Sequence, residues 1–174
     1  MPPDIDANLT KIKNSAKALN ALADRATEQI KKLDAFLVEH NPGIVVVGEC
    51  ILLEKGRNRR KHLVDMYHNI GYDRDEEGRW GLVVECLASR TDEDGALIYE
   101  TDLTAATGVS PELEVISIRR LTTVARDIRL AAVPSLSKLI AKISQKLEET
   151  TKTIEKEIDA VEKISAELKS ALKN

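Results

Sequence analysis

Apolar residues recur through residues 4–40 at 4-3-4-3 spacing: Ile5, Leu9, Ile12, Ala16, Leu19, Ala23, Ala26, Ile30, Leu33 and Leu37. Such a stripe occupies one face of an α-helix, and held over about five heptads it is the pattern of a coiled-coil seam. Asp4 or Asp6 suits the N-cap and first turn of this helix. Asn41-Pro42-Gly43 ends it, because the residue before a proline is pushed out of the helical region. The alanines in the seam leave room for a partner helix to come close.

Residues 135–173 predict a second helix of matched length. Ile140, Leu147, Ile154, Val161 and Leu168 form one heptad column. The companion column of Ile143, Thr150, Glu157 and Ile164 is poorer, with Ile158 and Leu172 one position off, so the seam drifts around the helix as a stutter makes it do. Glu148–Lys152, Asp159–Lys163 and Lys163–Glu167 stand at i,i+4 on the solvated face. Two such helices, each about 55 Å long by the rise per residue, predict an antiparallel hairpin.

Between them the period changes to two. Val64, Met66, His68, Ile70 and Tyr72 alternate with other residues, as do Trp80, Leu82, Val84 and Cys86, and Ile44 to Leu53 is rich in β-branched side chains. Turn-forming runs at Lys55-Gly56-Arg57-Asn58, Asp73 to Gly78 and Asp92 to Gly95 divide four antiparallel strands near 44–54, 62–72, 79–89 and 96–102. Four of the five aromatic residues fall here, and Trp80 is the expected anchor of the sheet core. Residues 112–121 stay open between helix, from Ser110-Pro111-Glu112, and strand, from Val115-Ile116-Ser117-Ile118. Helical spacing resumes at Leu121, Val124, Ile128, Ala131 and Ala132, where Pro134 kinks one helix or separates two. The expected fold class is therefore α+β: two long antiparallel heptad-patterned helices flanking a four-stranded antiparallel β-segment. The expected units are residues 1–41, 42–134 and 135–174.

Charge changes this picture little. The net charge is −3, and the middle segment, with thirteen acids against eight bases in residues 41–110, is the acidic one. General attraction to nucleic acid or anionic membrane is not expected. The opening residues lack a basic run followed by an apolar one, and no apolar run is long enough to span a bilayer, so a cytoplasmic location is expected. Cys50 and Cys86 then read as buried free thiols.

The one dense basic cluster is Lys55, Arg57, Arg59, Arg60 and Lys61, at the tip of the first hairpin. Such a tip can present cations to phosphates, or serve as a solvated turn that guards a sheet edge, and the turn is the favoured reading. Arg119, Arg120, Arg126 and Arg129 form a second basic stripe, most simply complementary to the acidic strands. The Asp73-x-Asp75-x-Glu77-Gly78 run resembles the start of a calcium loop, but the twelfth position is Val84 instead of a bidentate Glu, so a hairpin turn is expected. His40, His62 and His68 are scattered, and no nucleophile elbow, P-loop or glycine-rich dinucleotide turn occurs. No catalytic, metal or cofactor residues are therefore assigned, and an enzyme is not expected.

Gly71-Tyr72, Arg79 to Glu85 and Ala125 to Pro134 resemble small bacterial proteins of unassigned function. That resemblance implies that Trp80 and the Arg126–Pro134 segment form one structural unit, with the helix running through Pro134. The order of helix, β-hairpins and helix is similar to that of prefoldin subunits.

The expected function is a non-enzymatic oligomerisation or protein-interaction module, most simply a homodimer through a four-helix bundle. Nucleic-acid association through residues 55–61 is the alternative. Leu22 and Phe36 widen the first apolar stripe, and together with Ile30, Leu33, Leu147, Ile154 and Val161 they form the expected oligomer interface. Other protein partners would use the same helices.

Overall fold

A computed structural model describes residues 5–100 and 110–171 of the chain. Helix α1 (Ile5–His40) stops where Asn41 and Gly43 take positive φ of 33° and 65°. These are the two residue types for which the left-handed region costs least. Strands β1 (Val46–Arg57), β2 (Leu63–Arg74) and β3 (Trp80–Ser89) follow as an antiparallel meander. Strands β4 (Tyr99–Glu100) and β5 (Ser110–Pro111) pair in a separate short ladder. Strand β6 (Leu113–Arg120) returns beside β3, giving the sheet order β1-β2-β3-β6. Helix α2 (Arg126–Ala132) passes through one 3-10 turn (Val133–Ser135), which holds Pro134, into α3 (Leu136–Ala171). No described helix is long and apolar enough to cross a membrane.

The α+β class and the four-stranded antiparallel sheet match expectation; the identity of the fourth strand does not. The expected strand 96–102 supplies only Tyr99 and Glu100, and residues 101–102 lie outside the described part. The edge beside β3 belongs to residues 113–120, where the β-branched run Val115-Ile116-Ser117-Ile118 fits a pleated, half-buried surface.

One face of the sheet is covered by helix. Ile70 lies opposite Val84 and Tyr72 opposite Leu82, and with side chains alternating along each strand these four share that face. Ile30 and Leu37 of α1, Ile128 and Ala132 of α2, and Leu139 and Ile143 of α3 close over them. Tyr72 is fully buried and its hydroxyl donates to the Leu37 carbonyl at 3.3 Å. Trp80 is only half-buried; it stacks on Tyr72 at 5.5 Å, with the Arg74 guanidinium 5.1 Å above its ring. The aromatic anchor of the core is thus Tyr72, and Trp80 is its cover. Gly48 lets α3 lie close: a Cβ there would stand 2.6 Å from the Ile70 carbonyl and 3.4 Å from Leu139.

The intramolecular helical hairpin is corrected. Within the chain α1 packs on β3 and α2, whereas α3 packs on β1 and β2. The outer halves of the two long helices leave their apolar stripes uncovered, so they do not close on each other. The sheet takes the inner halves of both helices.

Candidate functional site

The inner anchor of α1 is a buried ion pair. Asp34, beside the seam, is 6% exposed; one carboxylate oxygen accepts the Leu82 amide at 2.7 Å and the other accepts the Arg120 guanidinium. Arg120 also donates to the Trp80 carbonyl at 2.8 Å. Gly81 makes space for it, since a Cβ at Gly81 would lie 2.3 Å from the guanidinium carbon. Burial, and then the Asp34 charge, push the neighbouring Tyr72 phenol above its ordinary range. Further out, Arg126 donates to the Asn20 side chain at 2.6 Å and to the Leu19 carbonyl at 2.9 Å, tying α1 to the start of α2. Helix α3 is tied by Lys138 to Glu49 of β1 at 3.0 Å.

These bonds account for most of the expected basic stripe. Arg120 and Arg126 hold α1, and Arg129 donates to the Val124 carbonyl. Arg119 alone of the four stays exposed without a bonded partner among the described residues.

The basic turn at 55–61 is likewise built into the sheet end. Lys55 pairs with Asp65 at 2.5 Å, Arg57 donates to the Lys61 carbonyl at 2.6 Å, and Arg59 donates to the Val115 carbonyl at 2.9 Å. Asn58, 5% exposed, fixes the turn: its amide donates to Thr91 and Ser89, and its side-chain oxygen accepts the His62 amide. Among the described residues only Arg60 and Lys61 keep side-chain cations there without a bonded partner. A phosphate-binding tip needs several mobile cations on one surface, and this turn offers two.

The acidic run 73–78 forms the β2–β3 hairpin turn. Asp75 accepts the Glu77 and Arg79 amides at 2.9 and 3.0 Å and pairs with the Arg79 side chain. Desolvation pushes its carboxyl upward, but the hydrogen bonds from Arg79 and Glu77 outweigh it and hold the group below the ordinary carboxylate range.

A second titratable group lies on the covered face. His68 is 4% exposed, bonded through Nε2 to Glu54 at 2.8 Å, with Nδ1 unpartnered. Cys86 lies opposite it across β2 and β3. Burial raises the Cys86 thiol above its ordinary value, which keeps it protonated and poorly nucleophilic. Cys50 is exposed, contrary to its expected burial, because it sits at the irregularity where β1 slips register against β2.

The remaining feature is the pair of helical arms. Along α1, Ile5, Leu9, Ile12 and Leu19 are 54–66% exposed; along α3, Ile154, Ile158, Val161 and Ile164 are 52–60% exposed. Thr153, Ile154, Glu157, Ile158, Val161 and Glu162 frame an apolar groove on α3. The expected interface residues divide between two settings. Ile30 is fully buried in the chain's own core, and Leu33 and Leu147 pack against that core. Leu22 and Phe36 are exposed, as are Ile154 and Val161. Phe36 is partly shielded by its own helix, with its ring 4.3 Å from that of His40. Ile5, Leu9, Ile12 and Leu19 were legible as a seam, but nothing in their spacing distinguished them from Ile30.

No protein-family model matches the chain, and no characterised protein or solved structure matches it either.

Proposed function

We propose that this protein is a non-enzymatic self-association module, with a sheet head that holds two apolar-striped helical arms for a partner to cover. One observation carries the reading: eight large apolar side chains at heptad-type spacing on the outer halves of α1 and α3 are more than half exposed. Exposed apolar patches of this extent on a folded chain mark interaction surfaces. A lone helix with a single stripe gains too little from local propensity to be stable in water, so the arms need tertiary or quaternary cover.

The energetics favour covering both arms together. Burying the exposed remainder of each such side chain contributes about 1 kcal/mol. A contact using one arm from each of two chains gains roughly 8 kcal/mol, inside the approximately 4–15 kcal/mol that association costs. Two such contacts gain roughly twice that and exceed the cost. Light scattering at micromolar concentration tests the reading. A mass near twice 19.3 kDa is expected, falling to the single-chain value in Ile12→Glu/Ile158→Glu with the sheet still folded. A wild-type chain that stays monomeric overturns it.

A further inference from the structure

The two arms differ in charge as sharply as they agree in spacing. The α1 arm, residues 5–22, carries Lys11, Lys13 and Lys17, with Asp6 its only acid. On the α3 arm the stripe runs Leu147, Thr151, Ile154, Ile158, Val161, exposed from Thr151 onward, the same 4-3-4-3 spacing as Ile5, Leu9, Ile12, Ala16, Leu19. Its edges are acidic: Glu148, Glu155 and Glu162 follow one side and Glu157 the other, all exposed. Not one of these lysines or glutamates has an ion-pair partner among the described residues, although Glu148–Lys152 stands at the spacing for one.

Edge charges choose partners for apolar helices. Two α3 arms laid together would set glutamate columns against each other, and two α1 arms would set three lysines and one aspartate against the same, a net like-charge contact. An α1 arm, with three lysines to one aspartate, against an α3 arm, with six acids to three lysines over residues 147–164, joins opposite net charges along stripes of one period. The chain cannot make that pairing within itself in this structure. Its α1 is tied to α2 through Arg126 at Leu19 and Asn20, its α3 is tied to β1 through Lys138, and both stripes stay open.

We infer that the occupant of each arm is the opposite arm of a second copy of this chain: α1 of one protomer covers α3 of its partner, and α3 covers the partner's α1. A two-fold axis makes both contacts at once, so the interface is self-complementary and closed. It covers both stripes of both chains. The inference rests on the self-association reading above and names its pairing.

Charge exchange tests it in the full chain. One variant carries Lys11→Glu, Lys13→Glu and Lys17→Glu, making both arms acidic; the other carries Glu155→Lys, Glu157→Lys and Glu162→Lys, making both arms basic. All six side chains are exposed and bond to no other element among the described residues, so circular dichroism and denaturation midpoints of the head serve as folding controls. Dissociation constants come from sedimentation equilibrium of each variant alone, of their equimolar mixture and of the chain carrying all six changes. Each variant alone is expected to dimerise at least about tenfold more weakly than wild type, from like-charge contacts at several positions. The mixture forms a heterodimer at least as tight as wild type, and the six-fold variant returns to within about threefold of it. A wild-type dimer whose mixture shows no gain over the separate variants overturns cross-pairing and leaves self-association standing. A wild-type monomer removes both.

Discussion

The inner and outer halves of α1 share one apolar period and lead different lives. Residues 23–37 place Ala23, Ile30 and Leu37 in the core, whereas residues 5–22 are exposed throughout where their side chains are described. Helix α3 repeats the contrast: Leu139 and Ile143 are buried, and every described side chain from Thr151 onward is exposed. A 4-3-4-3 spacing specifies that one face of a helix is apolar. It does not specify what covers the face. The inner half of α1 carries one thing that the outer half lacks, a carboxylate beside the seam with a buried partner waiting for it on the sheet.

That carboxylate gives the largest effect with which to break the comparison. Asp34→Ala leaves the Arg120 guanidinium, 16% exposed, without its charge partner and the Leu82 amide without an acceptor. Removing one member of a buried ion pair costs roughly 3–5 kcal/mol. Urea denaturation of the variant should show that loss. Asp34→Leu/Arg120→Met should recover part of it, because the uncompensated charge goes with its partner. A loss below about 1 kcal/mol would mean that the pair is solvated and that the inner half owes its place to packing alone.

Packing is tested by the same truncation at two seam positions. Ile30→Ala opens a void beside a fully buried residue and should cost about 2–5 kcal/mol. Ile12→Ala, at a residue 64% exposed, should leave the stability of the dilute single chain within about 0.5 kcal/mol. Raising the protein concentration sharpens the contrast, since Ile12→Ala should then lose stability that wild type gains on association. Equal costs at both sites in dilute solution would show that the arms are already covered within one chain.

Asn58 extends the comparison to the basic turn. Its side chain satisfies two buried partners and one half-buried partner at the end of the sheet, and Asn58→Ala should destabilise the head by about 1–3 kcal/mol. Arg60→Ala in the same turn, at an exposed side chain, should stay within about 0.5 kcal/mol. A folded head unaffected by Asn58→Ala would return the turn to the role of a free basic loop.

The amino-acid pattern made some of this legible and left the rest hidden, for identifiable reasons. The switch from period 3.6 to period 2 after Pro42 is local, and so are the turns at Asn58 and Asp75, so helices and hairpins could be read. The place of β6 depended on contacts across the long segment after β3, and Val115 to Ile118 carried strand character without a legible partner. Trp80 was overrated because size suggests burial, while its register opposite Arg74 at the start of β3 leaves it half open. Arg119, Arg120, Arg126 and Arg129 looked like one stripe. Their separation into a buried ion pair, a helix tie, a local bond and one exposed cation is set by where α1 lands on the sheet. The open arms were hidden most completely, because spacing is the same whether or not a face is covered.

The smallest effect uses protons to separate head from arm. Glu85, half-buried on β3, has its carboxyl raised above the ordinary value, first by burial and then by the nearby Asp73 charge. A carboxyl whose folded pKa is raised is harder to ionise in the folded chain than in the unfolded one. Its ionisation at neutral pH therefore costs stability. As the pH falls through that raised value the group takes up a proton and the cost fades, and it is gone below the unfolded value of about 4.3. Glu85→Gln removes the charge without changing the shape. It should raise head stability at pH 7 by about a few tenths of a kcal/mol, given the group's partial exposure, and leave it unchanged near pH 4. Asp75 moves in the opposite direction, since its lowered pKa makes its contribution present above about pH 3.9 and lost below, but it is common to both chains and cancels in the difference. Glu157→Gln, on the exposed arm, should alter head stability at neither pH in dilute solution. Urea midpoints at the two pH values decide the matter. A gain from Glu85→Gln that persists at pH 4 would trace it to packing instead of charge, and a loss at pH 7 would mean that the Glu85 carboxylate has an attractive partner on the sheet.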